Sequence, residues 1–197
     1  MKLSIIKYNA GNVQSVLFAL QRIGVEAIVT DNTDEILSSD KIIFPGVGEA
    51  SSAMAYLKER KLDALIKNLR QPVLGICLGM QLMCRHSEEN DTDCLGIFDL
   101  NVKRFPENEL KVPQMGWNNV FSLKSPLFKG VSEEEYMYFV HSYYAEKCAE
   151  SIALTRYGLE YSSAIRKNNF YAVQFHPEKS GEAGQRILEN FIKLTAP

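Results

Sequence analysis

The sequence feature that most restricts how this chain can fold is residues 72–81, which read Pro-Val-Leu-Gly-Ile-Cys-Leu-Gly-Met-Gln. The short apolar run from Val73 to Ile76 is typical of a buried strand, and the residues from Met80 onward suit a helix. Cys77 has a glycine two positions away on each side, so the backbone can turn sharply there. A nucleophile on a sharp strand-to-helix turn predicts a nucleophile elbow, where unpaired helix N–H groups favour the thiolate. The competing interpretation is a buried cysteine that ends an ordinary strand.

The hydrophobic pattern of the first half alternates between strands and helices. Strands are predicted at Leu3 to Tyr8, Glu26 to Thr30, Lys41 to Phe44 and Val73 to Ile76. Helices are predicted from Asn12, the cap, to Gly24, and from about Glu49 to Leu69 with a break near Lys61. This alternation predicts a parallel sheet with right-handed crossovers.

The pattern changes after Cys84, where the polar and acidic residues 87–96 are typical of a loop. From about Phe98 the segments are shorter, with strands predicted at 136–140, 163–166 and 170–175 and turns at 105–106 and 129–130. A final amphipathic helix is predicted over 183–194. We therefore expect residues 1–197 to form one α/β domain, an open, mostly parallel sheet flanked by helices, with an antiparallel insertion in the second half.

The composition is that of a soluble globular protein, since 46% of the 197 residues are hydrophobic and 23% are charged. A formal net charge of -2 argues against a nucleic acid or an anionic membrane as a partner held by charge. No apolar run is long enough for a membrane helix, and the N-terminus does not resemble a signal peptide. The four cysteines form no Cys-x-x-Cys pair, so we expect a cytoplasmic protein with no metal site and no cofactor.

A cysteine nucleophile needs a base, and the base needs a group that orients it. Of the three histidines, His176 stands out because Glu178 follows it by two residues. Residues two apart on a strand face the same way, so the carboxylate can accept the ring N–H and set the tautomer. Alone, a His-x-Glu pair is more often a surface ion pair. Beside a nucleophile elbow, it predicts the triad Cys77–His176–Glu178.

Amide hydrolysis through a cysteine also needs N–H donors for the developing oxyanion. The N–H of Leu78, directly after the nucleophile, is one candidate. The other lies in the turn Gly46-Val47-Gly48 after the third strand, because such loops gather at the carboxyl ends of parallel strands. The alternative is a plain strand-to-helix turn, which needs glycines for its own geometry.

Together, Gly-Ile-Cys-Leu-Gly-Met-Gln at 75–81 and His-Pro-Glu at 176–178 resemble the class I, triad-type glutamine amidotransferases. More segments resemble one group among them, the glutaminase subunits of imidazole glycerol phosphate synthase. These segments span nearly the whole chain and comprise residues 8–12, 45–48, 112–118, 138–143 and 174–181. The elbow is specific to the class, whereas Met-Gly-Trp-Asn and Glu-Lys-Ser-Gly are more specific to the subunit.

The resemblance implies a role for each matching residue. Cys77 attacks the side-chain amide of glutamine, His176 moves the proton, and Glu178 orients His176. A glutamyl thioester forms, which water then hydrolyses to glutamate. The positions that match the family's glutamine-binding residues are Gly46, Gln81, Glu89, His141, Ser142 and Tyr143. The plain alternatives are an exposed helix residue for Gln81 and a solvated loop charge for Glu89.

The resemblance also implies a partner, a (β/α)8-barrel synthase that forms a heterodimer with this chain. The synthase uses the ammonia to make imidazole glycerol phosphate and an aminoimidazole carboxamide ribotide in histidine biosynthesis. The positions that match its contact surface are Asn12, Met115, Trp117, Asn118 and Tyr138. Trp117 is otherwise explained as a core aromatic. One departure is Gln114, where members of the family often carry histidine, and it puts details of the contact or its regulation in doubt.

Val47 suggests how the chain is kept inactive when it is alone. Turning an N–H toward the oxyanion needs a peptide flip, which glycine accommodates more readily than a β-branched residue. Val47 between two glycines can therefore hold the donor wrongly until about 1–3 kcal/mol is supplied. The resemblance implies that the partner supplies it when its own substrate is bound.

Three other functions remain open at this point. The same triad would serve a glutaminase that feeds a different synthase, such as one that modifies a sugar. It would also serve a cysteine peptidase or γ-glutamyl hydrolase that needs no partner. A regulatory module without activity is the least favoured, because the three triad residues are intact.

Overall fold

A computed structural model describes residues 1–9, 13–108 and 110–195. The cap and the interface residue predicted at Asn12 lie outside these ranges. The helices are α1 Val13–Arg22, α2 Thr33–Leu37, α3 Ala50–Glu59, α4 Leu62–Lys67, α5 Leu78–Met83 and α6 Gly181–Lys193. Two 3-10 turns span Pro126–Phe128 and Pro177–Lys179.

The strands of the first half are β1 Leu3–Ile6, β2 Ile28–Thr30, β3 Lys41–Phe44, β4 Val73–Ile76, β5 His86–Ser87 and β6 Thr92–Asp93. Those of the second half are β7 Asn101–Arg104, β8 Gln114–Val120, β9 Glu135–His141, β10 Tyr143–Glu146, β11 Ser151–Tyr157, β12 Leu159–Lys167 and β13 Phe170–Val173.

One large sheet of eleven strands organises the molecule, in the order β2-β1-β3-β4-β13-β12-β10-β7-β5-β6, with β11 paired to β12. The first five strands in this order are parallel. From β13 onward β12, β10 and β7 pair antiparallel, and β5 then pairs parallel to β7. A separate antiparallel pair is formed by β8 and β9. The predicted fold class is confirmed, and most of the antiparallel second half extends the main sheet.

The strand that leads into Cys77 lies in the middle of the parallel part and is buried on both faces. Leu74 and Ile76 pack into the core on one side, with α1 and α6, whereas Val73 packs into the core on the other, with α3 and α4. A parallel strand covered on both faces is expected to be continuously apolar, as β4 is. Its carboxyl end therefore opens where the neighbouring loops converge.

Several boundaries differ from the sequence-based expectation. The second strand begins at Ile28, and α2 was not predicted, although Asn32 caps it by accepting from the N–H groups of Asp34 and Glu35. The predicted loop 87–96 overlaps the short pair β5–β6, whose two-residue strands are too brief to show a period. The helix break at Lys61 is confirmed, and Lys61 has a positive φ of 58°. No helix among the described residues is long and apolar enough to cross a bilayer.

Candidate active site

Cys77 lies on the tight turn between β4 and α5, as the elbow pattern predicts. Its backbone has φ 52° and ψ −107°, and its side chain is nearly buried. The Cys77 N–H donates to the Val173 carbonyl of β13 at 2.8 Å, and its own carbonyl accepts from the Gln81 N–H at 3.2 Å. A Cβ on Gly79 would lie 1.9 Å from the Phe44 carbonyl oxygen, so only glycine lets α5 approach β3 this closely.

His176 and Glu178 meet in the buried interior. His176 Nδ1 lies 2.8 Å from Glu178 Oε1, and both side chains are 1% exposed. The expected cause was wrong, because β13 ends at Val173 and strand alternation does not bring them together. Glu178 instead lies on the 3-10 turn that begins at Pro177, directly after His176. The His176 N–H donates to the Tyr138 carbonyl at 2.9 Å, which anchors the turn to β9.

The charges around His176 favour its protonated form. Burial alone lowers the pKa of His176, but the charge and hydrogen bonding of the Cys77 thiolate and of Glu178 raise it to about 10. Because Nδ1 faces Glu178, Nε2 is the ring nitrogen left for the contact with the sulfur. The geometry is that of a cysteine–histidine pair backed by a carboxylate, the arrangement that activates a cysteine nucleophile.

Cys77 opens into a pocket of about 280 Å³, near the lower end of the range for small-molecule sites. Predicted site residues form most of its wall, and the lining residues are Val47, Gly48, Cys77, Leu78, Gln81, Glu89, Pro113, Val140, His141, Ser142 and Tyr143. Gly46 lies beside it, in a narrow cavity that it shares with His176 and Glu178. The structure thus brings the predicted glutamine-binding positions next to the thiol.

Glu89 reaches this pocket from the turn between β5 and β6. Its Oε2 accepts the Ala50 N–H at 2.7 Å, at the start of α3. Burial raises the pKa of Glu89, while this hydrogen bond lowers it and the charge of Glu49 raises it further. The carboxylate is therefore not a solvated loop charge, because a helix N-terminus holds it at the pocket wall.

Gln81 is also not an exposed helix residue. Its side chain is almost fully buried, and its Nε2 donates to the Tyr143 carbonyl at 2.9 Å and to Gln174 Oε1 at 3.1 Å. Gln174 is fully buried, and its Nε2 lies 3.6 Å from Cys77 Sγ. Gln174 was not among the predicted site residues, although it lies two residues before His176 in the same segment.

A buried polar chain holds His141 at the pocket wall. His141 Nδ1 lies 2.7 Å from the Tyr143 carbonyl, and its Nε2 lies 3.3 Å from the Tyr161 hydroxyl. Tyr161 donates to Gln114 Oε1 at 2.9 Å. Gln114, the departure noted in the sequence, is therefore a core residue of β8 that contacts Tyr161. Burial lowers the pKa of His141 to about 4, against a smaller opposing effect of the Tyr143 hydrogen bond and with a further lowering by the charge of His176.

We expect His141 to destabilise the fold in acid. Its pKa is about 4 in the folded chain and about 6.5 when unfolded, so between these values the unfolded chain binds more protons. The contribution of His141 to stability is complete above about pH 6.5 and falls by about 3 kcal/mol as the pH approaches 4. Urea unfolding of wild type and His141→Asn across this range measures the effect. A stability difference between the two proteins that stays constant with pH would contradict it.

The Leu78 N–H, one predicted oxyanion donor, donates to the Gly46 carbonyl at 3.2 Å in this structure. Val47 is not among the residues with positive φ, whereas Gly48 has φ 125°, a region that favours glycine. The turn therefore places its left-handed residue at Gly48. A substrate oxyanion would have to compete with the Gly46 carbonyl for the Leu78 N–H.

The predicted partner-contact residues divide between the two faces of the β8–β9 pair. Met115 and Trp117 are 65% and 56% exposed, and Tyr138 lies opposite Trp117 with ring centroids 5.9 Å apart. These three side chains share the outer face. Asn118 is on the inner face, where its amide donates to the Arg156 carbonyl at 3.0 Å. Trp117 is therefore not a core aromatic, and Asn118 attaches β8 to β11.

No group of three or more His, Cys, Asp or Glu side chains that could hold a metal ion is found among residues 1–9, 13–108 and 110–195. The pocket offers a thiol, an imidazole, carboxylates and backbone donors. This set suits nucleophilic attack on an amide or ester carbonyl.

Comparison with known proteins agrees with this chemistry. The profile of the family described as "Glutamine amidotransferase class-I" matches residues 4–194. The imidazole glycerol phosphate synthase subunit HisH of Bacteroides fragilis is 60% identical over 196 residues, which cover 98% of this chain and 100% of that protein. The HisH subunit of Haemophilus influenzae is 46% identical over 194 residues, 98% of each chain.

Solved structures share the fold at lower sequence identity. PurLQS from Thermotoga maritima superposes with a TM-score of 0.71 at 14% identity, with 97% of each chain covered. A glutamine amidotransferase from the same organism gives 0.64 at 15% identity, covering 98% of this chain and 82% of that one. The match of the family profile and the high identity to the two HisH subunits agree over nearly the whole length. The chain therefore belongs to the class-I glutamine amidotransferases, and among them to the HisH subunits of imidazole glycerol phosphate synthase.

Proposed function

We propose that this chain hydrolyses glutamine to glutamate and ammonia and passes the ammonia to a synthase partner. The synthase, a (β/α)8 barrel that forms a heterodimer with this chain, makes imidazole glycerol phosphate and an aminoimidazole carboxamide ribotide in histidine biosynthesis. The observation that supports this most is the arrangement of Cys77 on the elbow with the buried His176–Glu178 pair behind it. The four cysteines are free thiols, which suits the reducing cytoplasm.

The proposed reaction follows from the charges of the site. The Cys77 thiolate attacks the side-chain amide carbon of glutamine, and the C–N bond breaks as His176 gives its proton to the departing ammonia. The resulting glutamyl thioester is then hydrolysed by water, whose proton returns to His176. Glu178 holds the imidazole through Nδ1, so that Nε2 is the atom that exchanges protons.

The pocket offers a separate group to each end of the substrate. Glu89 supplies a carboxylate for the α-ammonium group, and the backbone around Ser142 supplies donors for the α-carboxylate. Both residues line the same pocket as Cys77. The competing cysteine hydrolases that act on peptides would need an open cleft, whereas about 280 Å³ suits a single amino acid.

We propose that the isolated chain is nearly inactive and that the liganded synthase activates it. The Leu78 N–H donates to Gly46 rather than facing the pocket, and Val47 resists the peptide flip that would present a second donor. Glutaminase turnover is measured for the chain alone, with the synthase, and with the synthase plus its ribotide substrate. We expect an increase of at least about tenfold in the last case. Equal rates in all three would refute this regulation.

The outer face of β8–β9 is proposed to contact the synthase, and Trp117→Ala tests it. An exposed aromatic that becomes buried in an interface typically contributes about 2 kcal/mol, so we expect the dissociation constant to rise about thirtyfold. Isothermal titration of the two purified proteins measures it.

Leu37→Ala is a matched control, because Leu37 is 54% exposed on α2 and was not predicted to touch the synthase. Unchanged affinity of Trp117→Ala would contradict the proposed surface. Binding of the chain to a different synthase, with product formed from another acceptor, would support the alternative glutaminase.

A further inference from the structure

Two buried glutamines form a hydrogen-bonded chain between the wall of the pocket and the sulfur of Cys77. Gln81 Nε2 donates to the Tyr143 carbonyl at 2.9 Å and to Gln174 Oε1 at 3.1 Å. Gln174 Nε2 in turn lies 3.6 Å from Cys77 Sγ. Gln81 and Gln174 are 4% and 0% exposed, so water does not compete for these bonds.

The backbone carbonyl of Tyr143 determines the direction of this chain. A carbonyl oxygen only accepts, so the amide end of Gln81 that faces it must be the NH2 group. The same nitrogen also faces the Gln174 side chain, which must present its oxygen to accept the second N–H. The NH2 group of Gln174 is thereby directed at Cys77 Sγ. Rotating the Gln174 amide would place two donors against each other and an oxygen lone pair against the sulfur.

A second polar neighbour of the sulfur, a backbone carbonyl, has the opposite effect. The Val140 carbonyl lies 3.8 Å from Cys77 Sγ, where it accepts from the thiol S–H but repels a thiolate. The Gln174 N–H stabilises the thiolate, because a hydrogen bond to the charged form of a group favours that form. Of these two contacts, the glutamine therefore favours the reactive state of the sulfur.

We propose that Gln174 is a catalytic residue whose amide N–H stabilises the Cys77 thiolate, and that Gln81 is the positioning residue that orients it. This inference rests on the proposed function for its consequence, since a more abundant thiolate attacks glutamine faster. Gln81 then has a role besides lining the pocket. Together with Gln174, it links the pocket wall at Tyr143 to the nucleophile.

The test measures the thiolate directly. Alkylation of Cys77 by iodoacetamide is followed against pH by mass spectrometry of its peptide, which separates it from the three other cysteines. Gln174→Met keeps the length of the side chain and removes the N–H. We expect it to move the midpoint of alkylation upward by about one pH unit, which is a tenfold weaker preference for the thiolate over the thiol. Gln174→Glu, which places a second oxygen near the sulfur, is expected to move the midpoint at least as far.

The matched control is Asn190→Leu. Asn190 is also a buried amide, and its Nδ2 donates to the Leu127 and Lys129 carbonyls at 2.9 and 2.8 Å, outside the pocket. A general loosening of the core would move both variants alike, whereas a contact with the sulfur moves only Gln174→Met. A midpoint in Gln174→Met that matches wild type would overturn the proposal.

Gln81→Met keeps the proposal testable if Gln174→Met fails to fold, as judged by circular dichroism. It leaves Gln174 in place but frees its amide to rotate, so we expect a smaller upward shift of the midpoint. No shift in the folded Gln81→Met variant would overturn the positioning role. Alkylation does not depend on glutamine turnover, so a shifted midpoint together with a wild-type chain that releases no glutamate even with the liganded synthase would refute the proposed function and leave this inference standing.

Discussion

Replacing Cys77 with alanine is expected to abolish glutamine hydrolysis, with a loss of at least about 10⁴-fold in kcat. The thioester needs the sulfur, and among the described residues that line the pocket Cys77 is the only thiol. The measurement is glutamate release by the complex of this chain with its synthase and the synthase substrate. The fold should persist, because alanine fits the space of the thiol.

A control variant and a rescue with ammonia accompany the Cys77→Ala measurement. Cys148→Ala removes a half-buried thiol that contacts Ser151 and should leave turnover unchanged. Ammonia supplied to the Cys77→Ala complex should restore product formation, because the synthase then bypasses the glutaminase. Glutamate release by Cys77→Ala at the wild-type rate would show that another group performs the attack, and the thioester mechanism would have to be abandoned.

The second large effect is expected for Glu178→Gln, which should lower kcat by about 10²- to 10⁴-fold. The amide can present its NH2 group to Nδ1 of His176, which favours the wrong tautomer, and it removes the negative charge that stabilises the imidazolium. Burial lowers the pKa of His176, while the Cys77 thiolate and Glu178 raise it to about 10 in the wild type, so loss of Glu178 should lower it. NMR titration of the imidazole gives this value in both proteins.

The raised pKa of His176 also makes the stability of the fold depend on pH. A histidine whose pKa is raised on folding stabilises the fold fully below its unfolded value of about 6.5, and this contribution is lost as the pH rises through about 10. Wild type should therefore lose more stability than Glu178→Gln between about pH 7 and 10. Glu182→Gln, an exposed carboxylate at the start of α6, is the control for both measurements. Wild-type turnover in Glu178→Gln would remove Glu178 from the mechanism.

Local sequence patterns predicted the central elements of the fold. The continuous apolar run of β4 and the glycines around Cys77 encode the central strand and the turn, because a strand covered on both faces must be apolar along its length. The helix periodicity of residues 183–194 predicted α6, whose bounds are Gly181–Lys193. Several strands of the second half were not predicted. The strands β10 and β11 are stabilised by their pairing with β7 and β12, which is a property of neighbours distant in sequence.

The sequence by itself determined that a cysteine would stand at a strand-to-helix turn and that a histidine and a carboxylate would lie two residues apart. The sequence did not determine how the histidine and the carboxylate meet, because their meeting depends on a 3-10 turn that is hydrogen-bonded to β9. The orientation of Gln174 toward the sulfur and the separation of Asn118 from Met115 and Trp117 also depend on tertiary contacts. A pattern in the sequence reports only which residues share a local period. The direction of a buried amide is decided by acceptors that the fold brings from other strands, and here the first of them is the carbonyl of Tyr143.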